Sequence, residues 1–158
     1  LKKNVQNGKY YFIDENGNRI SGAKYNWAGK FQEGFAWVQK EGKFFFIDKN
    51  GNKLSDERYK LAEGFVGGAA KVFKGNKWFF IDRTGKEIPG GGYDRSFNFS
   101  EGFALVRKDN QFFFIDKSGK SINGEFYNSA GDFSNGVAEV GQNGEYFYID
   151  KKGRKIFG

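Results

Sequence analysis

The sequence has no cysteine, no histidine and no methionine, and Pro89 is its one proline. Without cysteine there can be no disulfide and no thiolate metal site, and the redox compartment is left open. Without histidine the commonest general base and the commonest metal ligand are both missing. A chain without methionine cannot start at its own initiation codon, so a processed product or an excised fragment is expected. No apolar run approaches the roughly 18 residues needed to cross a membrane, and no signal peptide is visible. Membrane insertion is therefore not expected. What is present is glycine and aromatic rings: 24 glycines, and 20 phenylalanines among aromatics that make up 20% of 158 residues. Many glycines beside one proline indicate tight turns, and the rings supply a core that lacks methionine. The formal charge of +7 permits acidic partners, but the charges are spread along the chain.

The chain is periodic. "KYYFIDENGNR" from Lys9 returns as "KFFFIDKNGNK" from Lys43, "KWFFIDRTGKE" from Lys77, "QFFFIDKSGKS" from Gln111 and "EYFYIDKKGRK" from Glu145. Its aspartates are Asp14, Asp48, Asp82, Asp116 and Asp150, each 34 residues after the last, and Gly17, Gly51, Gly85, Gly119 and Gly153 keep the same interval. Further columns are Tyr25/59/93/127, Phe31/65/99/133, Gly34/68/102/136, Ala36/70/104/138 and Val38/72/106/140. The expected organisation is a single repeat domain over 1–158. It has a partial unit at 1–23 and complete units at 24–57, 58–91, 92–125 and 126–158.

Helical hairpins share this period, but Phe, Tyr, Ile and Val between frequent glycines are strand chemistry. In the third complete unit, "GFALV" at 102–106 is predicted as one strand and "QFFFID" at 111–116 as its hairpin partner, with "RKDN" between them. A third, shorter strand is expected to end at Ile20, Leu54, Ile88, Ile122 and Ile156. Asp-x-x-Gly before it suits a type I turn, with Asp accepting from backbone amides and Gly at positive φ. The apolar side chains of one unit cannot offset the cost of ordering 34 residues, so neighbouring units must stack. The expected fold is all-β, with tandem hairpin or three-stranded repeats in an open, solenoid-like array. A small closed propeller-like ring is the alternative. The open form is preferred because residues 1–23 duplicate what 126–158 already contains. Leu1 and Phe157-Gly158 are not polar caps, which suggests that the chain continues or assembles end to end.

These columns carry a family likeness. "YDRSFNFSEGFALVRKDNQFFFIDKSGK" at 93–120 resembles the bacterial WG (KWG) repeat family, and the resemblance extends over nearly the whole chain. The chain departs from that family at the eponymous Trp-Gly, where it has Tyr10-Tyr11, Phe44-Phe45, Trp78-Phe79, Phe112-Phe113 and Tyr146-Phe147. The resemblance implies a β-rich repeat, often surface-exposed or secreted, with no shared enzymatic activity. "NGKYYFIDENGNRISG" at 7–22 also resembles the cell-wall or glucan-binding repeats of Gram-positive surface proteins, although those repeat at a shorter period.

Catalysis needs one asymmetric constellation, whereas a repeat offers the same group five times. No catalytic residue, metal site or cofactor is therefore expected. Asp-Glu-Asn-Gly at 14–17 superficially suits calcium, but later copies put Lys or Arg after the Asp, and a structural turn is preferred. Two candidate ligand-binding columns remain. Tyr10, Phe44, Trp78, Phe112 and Tyr146 form a ladder of rings that could stack on sugars or on a protein partner, unless neighbouring units cover both strand faces. Lys40, Lys74 and Lys108 are expected in the first hairpin turn, near Lys9, Lys43 and Lys77. Glu33, Glu63 and Glu101 interrupt any basic surface, which disfavours nucleic acid. The expected function is a non-catalytic structural or protein-interaction scaffold, extracellular or on the cell surface, that self-associates end to end. A polysaccharide-binding module is the alternative, and a cytoplasmic setting is left open.

Overall fold

The computed structural model describes residues 1–156; Phe157 and Gly158, weighed above as a terminal cap, lie outside the described residues. Every regular element among them is a strand. In chain order these are β1 (Lys2–Gln6), β2 (Lys9–Ile13), β3 (Trp27–Ala28), β4 (Ala36–Lys40), β5 (Lys43–Ile47), β6 (Leu61–Ala62), β7 (Ala69–Lys74) and β8 (Lys77–Asp82). They continue as β9 (Arg95–Ser96), β10 (Ala104–Lys108), β11 (Gln111–Ile115), β12 (Ser129–Ala130), β13 (Val137–Gln142), β14 (Glu145–Asp150) and β15 (Lys155–Ile156).

The repeated unit is an antiparallel hairpin: β1–β2, β4–β5, β7–β8, β10–β11 and β13–β14. Two residues make each turn, both at positive φ: Asn7-Gly8, Glu41-Gly42, Gly75-Asn76, Asp109-Asn110 and Asn143-Gly144. This is the type I′ geometry that matches the twist of the flanking strands. It moves the first strand two residues on from "GFALV", to Ala104–Lys108, while its partner keeps to Gln111–Ile115 within "QFFFID". Lys40, Lys74 and Lys108 are consequently not turn residues. They close their strands, opposite Lys43, Lys77 and Gln111.

The third strand also lies elsewhere than expected. β3, β6, β9 and β12 pair with the first strand of the following hairpin, whereas Ile20, Leu54, Ile88 and Ile122 each give one amide to the hairpin before them. Only the last copy of that segment, β15, is a strand. Between units, one extended segment serves both sides. Tyr59 exchanges bonds of 2.9 and 2.8 Å with Phe44, and the adjacent Lys60 amide donates to Phe73 at 2.9 Å. Tyr25, Tyr93 and Tyr127 do the same for Tyr10, Trp78 and Phe112. All pairing runs between sequence neighbours; among the described residues no bridge joins the first hairpin to the last, and the array is open.

Strand alternation gives each hairpin two different faces. One carries Ala36, Val38, Phe45 and Ile47 and their equivalents. The other carries Phe12, Phe46, Phe80 and Phe114. Four apolar clusters form where the second face of one hairpin meets the first face of the next, as when Phe46 packs with Ala70, Val72 and Ile81. A Phe from the linking segment completes each junction: Phe31 on Phe12, Phe65 on Phe46, Phe99 on Phe80 and Phe133 on Phe114, edge to face with centroids 4.8–5.2 Å apart.

Candidate functional site

Each Asp-x-x-Gly corner is built by the aspartate. One carboxylate oxygen accepts from the amides two and four residues on, as Asp116 does from Ser118 at 2.8 Å and Lys120 at 3.1 Å. Asp14, Asp48, Asp82 and Asp150 repeat the arrangement. The Ser118 hydroxyl, followed by these amides, holds the Asp116 carboxyl below the usual carboxylate range; for Asp14 and Asp150 the amides of Asn18 and Arg154 lead. Gly17, Gly51, Gly85, Gly119 and Gly153 all sit at φ of 77–86°. From Gly51 onward they also lie hard against the unit before: a Cβ on Gly119 would run into the Pro89 carbonyl, and one on Gly85 would approach Leu54 and Ser55 at 3.1–3.2 Å.

The aromatic column divides by position. Tyr10, Phe44, Trp78 and Phe112 are half-buried, each flanked by the tyrosine strand paired to it, while Tyr146 is 73% exposed. Trp78 also packs on Phe73 at 5.0 Å and Tyr10 stacks on Trp27 at 6.5 Å. Trp27 itself is exposed. The lysine column is not uniform. Lys74 bonds Glu87 at 2.8 Å, which raises its pKa, and lies 5.0 Å from the Phe79 ring centre; Lys40 and Lys108 are exposed at strand ends.

Glu33 and Glu101, read above as interruptions of a basic surface, are ties between units. Glu33 accepts from the amides of Gly67 and Gly68 at 2.8 and 2.9 Å, and Glu101 accepts from Gly136 at 2.8 Å. Arg83 donates to the Glu33 carbonyl at 2.7 Å, and Lys151 lies 3.4 Å from the Glu101 carboxylate. The Gly136 amide, foremost, keeps the Glu101 carboxyl below its ordinary value. The signal was the pair of glutamates two periods apart, each just before a column glycine.

The two ends of the array differ from its interior. On the outward face of the first hairpin, Lys2 and Asn4 stand where Ala36 and Val38 stand inside, beside Tyr11 and Ile13, so this face mixes polar and apolar side chains. Leu1 itself is an exposed apolar residue. At the other end, Tyr148 takes the place of Phe12, Phe46, Phe80 and Phe114. It is 50% exposed, against 1–3% for those four. Glu139, Glu145, Tyr146, Phe147, Tyr148, Lys155 and Ile156 line a groove of about 480 Å³ there. The Tyr148 hydroxyl donates to Glu139, which raises the pKa of the phenol.

Comparison with known proteins adds the following. The model of the WG containing repeat matches residues 12–44, 44–78, 78–112 and 127–146, well over half of the chain. No curated protein matches. Among solved structures, Kluyveromyces lactis Hsv2p is similar at 10% identity and a TM-score of 0.44, over 82% of this chain and 48% of that one. A protein of unknown function from Bacteroides caccae is similar at 14% identity and a TM-score of 0.31, over 95% and 74%. The hemopexin fold protein CP4 from cow pea matches at 13% identity and 0.31, over 83% and 89%. The chain spans about half the length of the Hsv2 structures it matches. No helix among the described residues is long and apolar enough to cross a membrane.

Proposed function

Because the chain belongs to the family of WG-containing repeats, we propose that it is a non-catalytic scaffold of a secreted or surface-exposed bacterial protein, which binds other polypeptides, copies of itself included, through the ends of its stack. The interior faces are used up in holding the units together, which leaves the ends to make contacts. The observation that carries this is the exposure of Tyr146, Tyr148 and Ile156 on one terminal sheet, at positions whose interior equivalents for Tyr148 are buried. Charge supports an end-to-end arrangement: Lys2 lies on the outward face of β1, while Glu139 lies on β13 beside Tyr148. Sedimentation velocity over a concentration series tests it. Association that weakens with salt and is lost in Glu139→Lys is expected; a monomer at every concentration would overturn it.

A second reading is supported by Trp27, exposed and stacked at 27° on the Tyr10 ring. Such a pair is suited to lie against the apolar face of a sugar ring in a polysaccharide. Glycan-array binding that Trp27→Ala abolishes would favour this role over the first.

A further inference from the structure

The second ring of each aromatic pair (Tyr11, Phe45, Phe79, Phe113 or Phe147) lies toward the rim of the stack, and in four of the five copies the chain covers it with its own cation. Arg19 lies 4.0 Å from the centre of the Tyr11 ring, Arg58 and Lys53 5.0 and 5.4 Å from Phe45, Lys74 5.0 Å from Phe79 and Lys155 4.5 Å from Phe147. Arg19, Lys53 and Lys155 form one column, each bridged to the isoleucine that ends its aromatic run: Ile13, Ile47 and Ile149. In the third hairpin this column holds Glu87, which bonds Lys74 above the ring. In the fourth it holds Ser121, bridged to Ile115, and the column of Arg58 holds Phe126. Among the described residues no lysine or arginine lies over Phe113.

The two replacements leave a groove of about 240 Å³ against Phe113, with Phe126, Ser121, Lys108 and Asp109 in its walls. Phe126 meets Phe113 edge to face, centroids 5.5 Å apart at 80°, and is 48% exposed. Its backbone is fixed by Gln142, whose side-chain amide donates to the Phe126 carbonyl at 2.8 Å. This is a rim position in every copy: Lys24 and Arg58, its equivalents with further units stacked after them, are exposed too. The exposure of Phe126 therefore does not depend on where the sequence ends. Lys108 shares the wall, but its counterpart Lys74 is held over a ring by Glu87, and Ser121 offers Lys108 no such anchor.

We infer that this groove binds an arginine side chain of a partner polypeptide, its guanidinium taking over Phe113 the place that Lys53 takes over Phe45. The negative face of the ring attracts the cation, and the exposed Phe126 ring shields it from water. A planar guanidinium suits the place better than an ammonium, because it lies flat on one ring and still offers N–H donors to the Asp109 carboxylate in the same wall. The site lies where unit 92–125 gives way to unit 126–158, so it stands whether or not the ends of the stack associate.

The test uses the full chain, with Nα-acetylarginine methylamide as probe and its neutral citrulline analogue as control. Both are titrated at constant ionic strength and followed by NMR of the aromatic side chains. Saturable binding of the arginine probe is expected, with shifts centred on the rings of Phe113 and Phe126, and the citrulline analogue should bind about fivefold more weakly or less. Ser121→Lys rebuilds the pattern the chain already carries at Lys53 and Lys155. It should keep the thermal midpoint and lose the probe. Phe126→Leu, which keeps an apolar side chain at the rim, is the second variant and should weaken binding by about fivefold. No saturable shift, equal binding of the citrulline analogue or of methyl β-glucoside, or undiminished binding by either variant would overturn the inference.

Discussion

Gly17 and Gly119 occupy the same place in two copies of one corner, at φ of 83° and 86°, yet they face different surroundings. A Cβ at Gly17 would meet nothing within 4 Å, whereas one at Gly119 would strike the carbonyl of Pro89 in the unit before. Alanine at either site forces a residue with a side chain into left-handed backbone, at a cost of about 1–2 kcal/mol. Only at Gly119 must the units also part. The obstacle there is backbone, which cannot turn aside as a side chain can, and overpacking of that kind adds about 1–3 kcal/mol. At roughly 2–4 °C per kcal/mol for a chain of this size, Gly17→Ala should lower the midpoint by about 5 °C and Gly119→Ala by about 10 °C or more. Thermal unfolding followed by near-ultraviolet circular dichroism measures both. Equal shifts would mean that the repeated glycine serves the turn alone and that the units are not in close backbone contact.

Other outcomes follow from the same packing. Phe80→Ala, which removes a ring 2% exposed and set on Phe99, should cost about 3–5 kcal/mol in denaturant unfolding. Tyr148→Ala, at the equivalent but half-exposed position, should cost much less, and equal losses would contradict the stacking order. Ser96 stands where the other units have Ala28, Ala62 and Ala130, and its buried hydroxyl finds no hydrogen-bond partner among the described residues. Ser96→Ala should therefore stabilise by about 1 kcal/mol, and a loss of stability would refute this. The carboxyls of Asp14, Asp116, Asp150 and Glu101 are held below their ordinary values. Their contribution is present above the unfolded-state values of 3.8 for Asp and 4.5 for Glu and is lost as pH falls through the lower folded-state values. Unfolding midpoints should accordingly be flat near neutrality and drop below about pH 4; a midpoint unchanged down to pH 2 would contradict it.

The period, the aromatic strand β2 and its copies, and the aspartate corner were legible because each is local and written several times. The short strands β3, β6, β9 and β12 were not. Two residues are too few for alternation to show, and their first positions (Trp27, Leu61, Arg95, Ser129) share no chemistry. The small-residue column Ala28, Ala62, Ser96, Ala130 was their only trace. The tight turns at Glu33-Gly34 and Glu101-Gly102 were missed for another reason. Glutamate is a poor choice for φ of 52–54°, and what holds it there is a carboxylate bond to the next unit, which no local pattern reveals. The end surface could not be separated from the buried column either. Tyr146 and Tyr148 read like Tyr10 and Phe12, yet among the described residues they are 73% and 50% exposed.

The isolated segment 58–91 tests most directly whether each unit depends on its neighbours. Made as a peptide, it should give the circular dichroism and narrow amide shifts of an unfolded chain, while the full protein unfolds cooperatively. A monomeric 34-residue peptide with dispersed shifts and slow amide exchange across β7 and β8 would contradict the account.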